Sequence, residues 1–169
     1  DVGDVPPPVT PPQIGTAKPS ATALRWQFTD TASDETGFEL HAGAHGTPDE
    51  RVIVTTRPAV VNNFSYFHET GLTPNTDVCN RHVHTLRGAE VSSPSATYPC
   101  TATLAAVPPQ PVVSEMTASS ALVQWKSDTN PAETEFAVQD TTAHRYLAID
   151  GTFGALAPAW QTFAVWGGG

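Results

Sequence analysis

Residues 23–28 read ALRWQF, within a stretch from residue 11 to 41 that reads PPQIGTAKPSATALRWQFTDTASDETGFELH. Leu24, Trp26 and Phe28 alternate with other side chains, which is the period of a strand with one buried face. Residues 37–41, GFELH, alternate in the same way, and a turn-rich segment separates the two runs. The stretch therefore predicts short strands of an all-β fold.

The same pattern returns in residues 108–139, PPQPVVSEMTASSALVQWKSDTNPAETEFAVQ. Three landmarks recur at a nearly constant distance: Pro11 with Pro108 (97 residues), Trp26 with Trp125 (99) and Phe38 with Phe136 (98). This is an internal repeat, and its period is too long for a solenoid but fits tandem β-sandwich domains.

Composition excludes several classes of protein. Of 169 residues, 15% are charged, and a net charge of −9 with only two lysines (Lys18, Lys126) is a poor basis for binding nucleic acid. No apolar run approaches the roughly 18 residues of a membrane span. The 16 prolines, with few strong helix formers, disfavour long helices.

Proline clusters mark the predicted domain boundaries. Residues 1–13 are read as an extended, proline-rich linker. A second cluster at residues 107–111 separates a first domain, 14–106, from a shorter second one, 107–169.

Further residues give the repeat a family resemblance. Trp26, Phe38, the run GLTPNT at 71–76, Gly88 and SSPS at 92–95 follow one another as in a fibronectin type III repeat, which this segment resembles. The second copy is similar to the fibronectin-like repeats of bacterial cell-surface proteins. The resemblance implies tandem immunoglobulin-like sandwiches, with Trp26 in the core and Leu72 at the corner before strand F.

The first copy departs from that family in strand F. The position of the usual corner tyrosine holds Val78. Strict alternation from Val78 would bury His82 and His84, whereas a one-residue bulge would bury Val83 and Thr85 instead. We favour the bulge, because buried unpaired imidazoles cost more than a local ladder defect.

The second copy lacks a counterpart of residues 72–95, so strands F and G are predicted to be missing from it. Such a domain leaves backbone and core open to an added strand. Two explanations stay open: the natural chain continues beyond residue 169, or another subunit supplies the strand.

The two cysteines, Cys79 and Cys100, flank a predicted hairpin that turns near Gly88 and Ala89. Antiparallel pairing places them side by side, which favours a disulfide of about 3 kcal/mol over two unrelated small apolar residues. Their spacing does not fit a zinc ribbon.

No metal or cofactor site and no catalytic residue is predicted. His82 and His84 share a strand face and could chelate a metal. The sequence places no third ligand beside them, so a solvated strand face is the preferred interpretation. The same interpretation is preferred for His41 and His45, which lie in an expected loop. Solvated turns are also preferred over calcium binding for two acidic loops: Asp30, Asp34 and Glu35, and Asp128 and Glu133. Motifs of serine hydrolases and of nucleotide-binding loops are absent from the sequence.

Aromatic residues gather towards the end of each copy. They are Phe64, Tyr66 and Phe67, and then Phe153, Trp160, Phe163 and Trp166. Core packing is one interpretation, and a glycan-stacking or subunit-contact surface is the other. Trp160, Phe163 and Trp166 are taken as candidate subunit contacts.

These features predict a non-catalytic extracellular structural protein, a rod- or fibre-forming subunit that self-associates or contacts other surface proteins. The alternative is a spacer, glycan-binding or adhesion module of a larger secreted enzyme or surface protein. The sequence opens on Asp1 without an initiator Met or signal peptide, which we interpret as a mature, processed chain or a portion of one, and this is compatible with the expected export.

Overall fold

The computed structural model describes residues 10–56 and 62–167, and within them every regular element is a β-strand. The prediction of an all-β fold is therefore confirmed. No helix in this described part is long and apolar enough to cross a membrane. The chain divides into two compact units, the first comprising the described residues up to Leu72 with 76–104, the second residues 73–75 and 105–167.

Nine strands form the first unit, in small antiparallel sheets that enclose one core. They are β1 (Gln13–Pro19), β2 (Ala23–Thr29), β3 (Gly37–Ala42), β4 (Arg51–Thr56), β5 (Phe64–Thr70), β6 (Asp77–Val78), β7 (Arg81–Arg87), β8 (Glu90–Val91) and β9 (Thr101–Ala102). One sheet has the order β1-β2-β5, a second the order β4-β3-β7-β8, and β6 pairs with β9. This arrangement is sandwich-like.

Side chains from both larger sheets fill the core of the first unit. The three alternating residues of β2 are each 0% exposed, as their period predicts. Full burial of a large apolar side chain contributes about 1.5–3 kcal/mol. The buried cluster consists of Leu24, Trp26, Phe28, Phe38, Leu40, Phe67, Val78, Val83 and Tyr98, with Leu72 packed against it.

The chain changes phase between β6 and β7. Asn80 has a positive φ of 56°, and the strand resumes at Arg81 with Val83 and Thr85 on the core side, both 0% exposed. The predicted inward facing of Val83 and Thr85 is therefore confirmed, but the phase changes where the chain passes from one sheet to another and not at a bulge within one ladder. The solvated face predicted for His82 and His84 is wrong, because each of these residues is only 2% exposed.

An irregular segment, residues 92–98, continues the sheet beyond β7. The backbone N–H groups of Ser92, Ser95 and Tyr98 donate to carbonyls of β7 at 2.8–2.9 Å, so every third residue faces the strand. The Ser92 and Ser95 hydroxyls in turn accept hydrogen bonds from Thr85 and Val83 N–H groups, each at 2.9 Å. These hydroxyls replace ladder acceptors that a regular strand would supply.

A tyrosine does anchor the first unit, although not at the position of Val78. Tyr98 packs its ring 4.9 Å from that of Trp26 and donates its hydroxyl to the Gln27 carbonyl at 2.5 Å. Burial raises the pKa of the Tyr98 hydroxyl well above its usual value. Close by, Cys79 and Cys100 form the predicted disulfide, which is confirmed.

The start of the chain is only partly described. Residues 1–9 of the predicted linker 1–13 lie outside the described residues. The remainder is fixed to the first unit: the Thr10 carbonyl accepts from the Thr85 hydroxyl at 2.7 Å, and Gln13 begins β1.

Seven strands of two or three residues form the second unit. They are β10 (Val112–Ser114), β11 (Leu122–Gln124), β12 (Glu135–Phe136), β13 (Gln139–Asp140), β14 (Arg145–Leu147), β15 (Phe153–Ala155) and β16 (Gln161–Thr162). They pair as β10-β11, β12-β16 and β13-β14-β15. The half-buried Trp125 packs edge-on against Phe136 at 4.9 Å and Phe163 at 4.8 Å, so its surroundings are more open than those of Trp26.

Candidate functional site

The outer face of the β3-β7 ladder carries an unusual set of polar side chains. In the register of the two strands, His41 lies opposite His82, and Glu39 lies opposite His84. Residues of alternating number share a face, so all four side chains project away from the core that Leu40 and Val83 occupy on the other face. His41 is thus a strand residue, not the loop residue that the sequence predicts.

The connection between β3 and β4 covers this face. Gly43, at a φ of +93°, makes the first bend, and a Cβ there would come within 2.4 Å of the Asp49 carbonyl oxygen, so glycine is required. Backbone hydrogen bonds from Thr47 to Ala44 and from Glu50 to Thr47 fold the loop. The loop returns the chain so that Glu50 reaches the histidines.

Four imidazole nitrogens converge on a single carboxylate oxygen, Glu50 Oε1. The distances are 3.1 Å from His41 Nδ1, 3.1 Å from His45 Nδ1, 2.9 Å from His82 Nε2 and 3.4 Å from His84 Nε2. We call these five residues the His–Glu cluster. Its ring centroids lie as close as 4.4 Å, between His41 and His84.

Two of the rings are held from behind by hydrogen bonds at their outer nitrogens. His41 Nε2 lies 3.1 Å from Glu39 Oε2, and His84 Nδ1 lies 2.8 Å from the carbonyl oxygen of Ser92. The Ser92 carbonyl can only accept, so His84 Nδ1 is the donor of that bond, whereas the neutral ring of His41 can donate to only one of its two carboxylate partners, Glu39 or Glu50. These contacts fix the direction of the inner nitrogens.

Hydrogen bonding and burial set the charges within the cluster. The backbone N–H of Gly46 donates to Glu50 Oε2 at 2.6 Å and, with His82 and His45, holds the pKa of the Glu50 carboxyl far below its ordinary value. Burial lowers the pKa of His84, and the neighbouring rings of His41 and His82 lower it further. The cluster therefore combines an anionic carboxylate with a buried imidazole that favours its neutral form.

Access to the His–Glu cluster is from the loop side. The side chains of His82 and His84 are 2% and 3% exposed, those of His41 and Glu50 are 13% and 16%, and that of His45 is 54%. Three imidazole nitrogens and a carboxylate oxygen, from His41, His82, His84 and Glu50, all lie within 4.8 Å of one another. This is a compact set of donors that can coordinate a metal ion.

The sequence did not reveal this cluster because its parts come from three segments. The sequence indicated that His82 and His84 share a strand face, and that His41 and His45 are close in the chain. It did not indicate that β3 and β7 pair in the register that joins the two sets, or that Glu50 lies between them. Four of the six histidines do fall in two short segments, which was the available signal.

The acidic loop of the first unit is not a solvated turn throughout. Asp30 is 0% exposed, and its Oδ2 and the Oε2 of Glu35 are buried without a hydrogen-bond donor. Burial, with the charges of Asp30 and Asp34, raises the pKa of Glu35. The preferred interpretation as solvated turn residues is therefore wrong for Asp30, whereas Asp34 is exposed and pairs with Arg87.

The three candidate contact residues of the second unit differ from one another. Trp160 is 56% exposed, whereas Phe163 and Trp166 are half-buried. Trp166 donates its Nε1 proton to the Phe136 carbonyl at 3.0 Å, so it has a partner within its own unit. Trp160 is the most accessible of the three.

No protein-family model matches the sequence, and no curated protein matches it. Among solved structures, the sensor domain of the anti-sigma factor RsgI4 from Pseudobacteroides cellulosolvens is similar, with 18% sequence identity. The similarity covers 60% of this chain and 98% of that domain, with a TM-score of 0.36, and no conclusion about this chain follows from it.

Proposed function

We propose that the chain is a non-catalytic structural protein of the extracellular surface, built from fibronectin type III-like units, that self-associates by strand addition to its second unit. The observation that carries the proposal is the free edge of β11. In the first unit, β2 pairs with β1 on one side and β5 on the other. Within the described residues, β11 at the corresponding repeat position pairs only with β10.

The surroundings of β11 suit an added strand. An open groove is lined by residues 122–126, which include β11, and by Phe163 and Trp166. An edge with unpaired backbone groups is a template for another extended segment, which gains ladder hydrogen bonds there. A strand seated in this groove would bury the apolar side chain of Leu122, which is 41% exposed.

Apolar exposure is concentrated in the second unit. Among described residues, ten of the fifteen exposed large apolar or aromatic side chains belong to it: Val107, Val112, Val113, Met116, Leu122, Ile149, Phe153, Leu156, Trp160 and Val165. Where such side chains adjoin one another, exposed apolar surface usually marks an interaction site. A second copy of the chain is the proposed occupant, and a strand from a longer natural chain is the competing one.

The disulfide supports an extracellular location. Disulfides persist in oxidising compartments and are rare in the cytosol. Both cysteines of the chain take part in the single Cys79–Cys100 bond, which leaves no free thiol. An exported, surface-exposed protein is consistent with this chemistry.

The proposal is tested by sizing the purified chain by light scattering across a concentration series, with electron microscopy of the largest species. Lysine on an edge strand opposes strand addition, so Leu122→Lys should shift the population to monomers. Leu104→Lys is the matched control, because Leu104 is 55% exposed and belongs to the first unit. A chain that stays monomeric at every concentration, or equal effects of the two substitutions, would contradict self-association.

A second candidate function, glycan binding, is favoured by one observation: Phe153 and Trp160 are 49% and 56% exposed. Exposed aromatic rings provide stacking surfaces for sugars as well as for protein partners. A glycan array with the unmodified chain and with Trp160→Ala separates the two functions. Glycan binding requires signals that disappear in the variant, whereas self-association alone predicts no signals.

A further inference from the structure

The inner nitrogen of the buried ring of His84, in the His–Glu cluster, carries a lone pair. His84 Nδ1 donates its proton to the Ser92 carbonyl oxygen at 2.8 Å, so in the neutral ring Nε2 is an acceptor. That Nε2 is buried and has no hydrogen-bond partner, although it lies 3.4 Å from Glu50 Oε1. A nitrogen lone pair thus faces a carboxylate lone pair with no proton between them.

His41 lies between two carboxylates, with Nε2 3.1 Å from Glu39 Oε2 and Nδ1 3.1 Å from Glu50 Oε1. A neutral ring can donate to only one of them, so the other nitrogen faces a carboxylate as an acceptor. His84 and His41 thus each set a nitrogen lone pair against a carboxylate oxygen. Such a set of lone pairs is repulsive by itself and becomes favourable when a cation lies among them.

The number of donors around Glu50 leads to the same conclusion. One carboxylate oxygen accepts about two hydrogen bonds, yet four imidazole nitrogens lie 2.9–3.4 Å from Oε1. In the metal-free chain, His82 Nε2 and one of His41 and His45 can supply those two bonds, which leaves His84 Nε2 and the remaining ring without a hydrogen bond to that oxygen. A bound metal ion would displace the proton of His82 Nε2, because a ligating imidazole nitrogen carries none.

From this geometry we propose that the His–Glu cluster binds a divalent transition-metal ion of the zinc class, through His41 Nδ1, His82 Nε2, His84 Nε2 and Glu50 Oε1. Three imidazoles and one carboxylate are a donor set suited to Zn²⁺, whereas Ca²⁺ and Mg²⁺ prefer oxygen ligands throughout. The site is independent of the strand-addition function.

The distances suit a tetrahedral site after small side-chain rotations. Zn²⁺ binds nitrogen and oxygen at about 2.0–2.2 Å, which places its ligand atoms about 3.3–3.5 Å apart. The four donor atoms here already lie within 4.8 Å of one another. The ladder between β3 and β7 positions three of the ligands, and the hydrogen-bonded loop between β3 and β4 positions Glu50.

The outer contacts have the form that metal-binding histidines usually have. A ligating imidazole generally donates its other N–H to a carboxylate or a backbone carbonyl, which orients the ring and raises its basicity. Glu39 does this for His41, and the Ser92 carbonyl does it for His84. His45, 54% exposed and 3.1 Å from Glu50, lies on the accessible side, where an ion would arrive.

Isothermal titration of the full chain with ZnCl₂ in a non-chelating buffer tests the proposal, with CaCl₂ as the contrasting cation. We expect one zinc ion per chain and no calcium binding. His84→Gln and His41→Gln each remove a ligand and should weaken zinc binding more than about 100-fold. Glu39→Gln removes only a partner that orients a ligand, so it should weaken zinc binding by about ten- to a hundredfold. A Co²⁺ complex with the visible absorption of tetrahedral coordination would support the ligand geometry.

His68 and His144 provide matched controls, since both are exposed histidines outside the cluster. His68→Gln and His144→Gln should leave the zinc affinity within about twofold. Circular dichroism of each variant establishes that it is folded before titration. His45→Gln replaces the most exposed residue of the cluster, so this variant should also fold. Absence of saturable zinc binding by the folded unmodified chain, or equal weakening by cluster and control substitutions, would overturn the proposal.

Discussion

Two ion pairs in the first unit have the same length but different burial, and they should differ in energetic importance. Arg81 Nη2 lies 2.6 Å from Glu69 Oε1, with side chains 12% and 5% exposed. Arg87 Nη1 lies 2.6 Å from Asp34 Oδ2, where Asp34 is 57% exposed. Glu69 also accepts the indole N–H of the core residue Trp26 at 2.8 Å.

Replacing Glu69 with leucine leaves both Arg81 and the Trp26 N–H without their partner. Removing one member of a buried ion pair typically costs about 3–5 kcal/mol, because the other charge remains desolvated. At a urea slope of about 2 kcal/mol per molar, this lowers the unfolding midpoint by about 1.5–2.5 M. Asp34→Ala should cause a shift too small to separate from scatter, because solvent screens that pair.

Urea unfolding of the full chain, monitored by hydrogen exchange of the β2 and β3 amides, measures these shifts in the first unit itself. The double replacement Glu69→Leu with Arg81→Met should recover part of the loss, since it removes both charges. Equal midpoints for Glu69→Leu and Asp34→Ala would refute the reasoning. So would a double variant less stable than the sum of its single changes.

Three further predictions concern the first unit. Replacing Cys79 and Cys100 with serine should cost about 3 kcal/mol in chemical unfolding. Burial and the charge of Asp30 raise the pKa of Glu35 above its ordinary value of 4.5. The stability that the protonated carboxyl contributes is therefore complete below pH 4.5 and is lost as the pH rises through the raised pKa. In thermal unfolding, Glu35→Gln should stabilise the first unit at pH 7 but not at pH 4. Tyr98→Phe should cost about 1 kcal/mol, measured by urea unfolding, because the half-buried Gln27 carbonyl of β2 loses its donor.

Most local features of the first unit follow from the sequence. The alternation of Leu24, Trp26 and Phe28 places them in the core. The cost of burying imidazoles without partners predicts a phase change before Val83, and the structure has one. That same argument placed His82 and His84 in solvent. It failed because the imidazoles are not without partners: Glu50 and the Ser92 carbonyl meet them under a covering loop.

The surroundings of repeated residues were less predictable than their positions. Trp26 and Trp125 occupy corresponding places in the repeat, yet Trp26 is fully enclosed and Trp125 is half-buried. Burial depends on how many strands pack around a residue, and β11 has one ladder partner among described residues where β2 has two. The period of a sequence indicates on which face of a strand a side chain lies, but not how many neighbours surround it.

Alternation and chain spacing were enough to predict the strands around Trp26 and Phe38, their core-facing residues and the disulfide, because these are properties of residues close in the chain. The meeting of His41, Glu50, His82 and His84 became visible in the folded chain alone. Their meeting depends on the register of β3 against β7 and on a loop that bends back at Gly43. Both are set by hydrogen bonds between residues far apart in the chain, which no local pattern specifies.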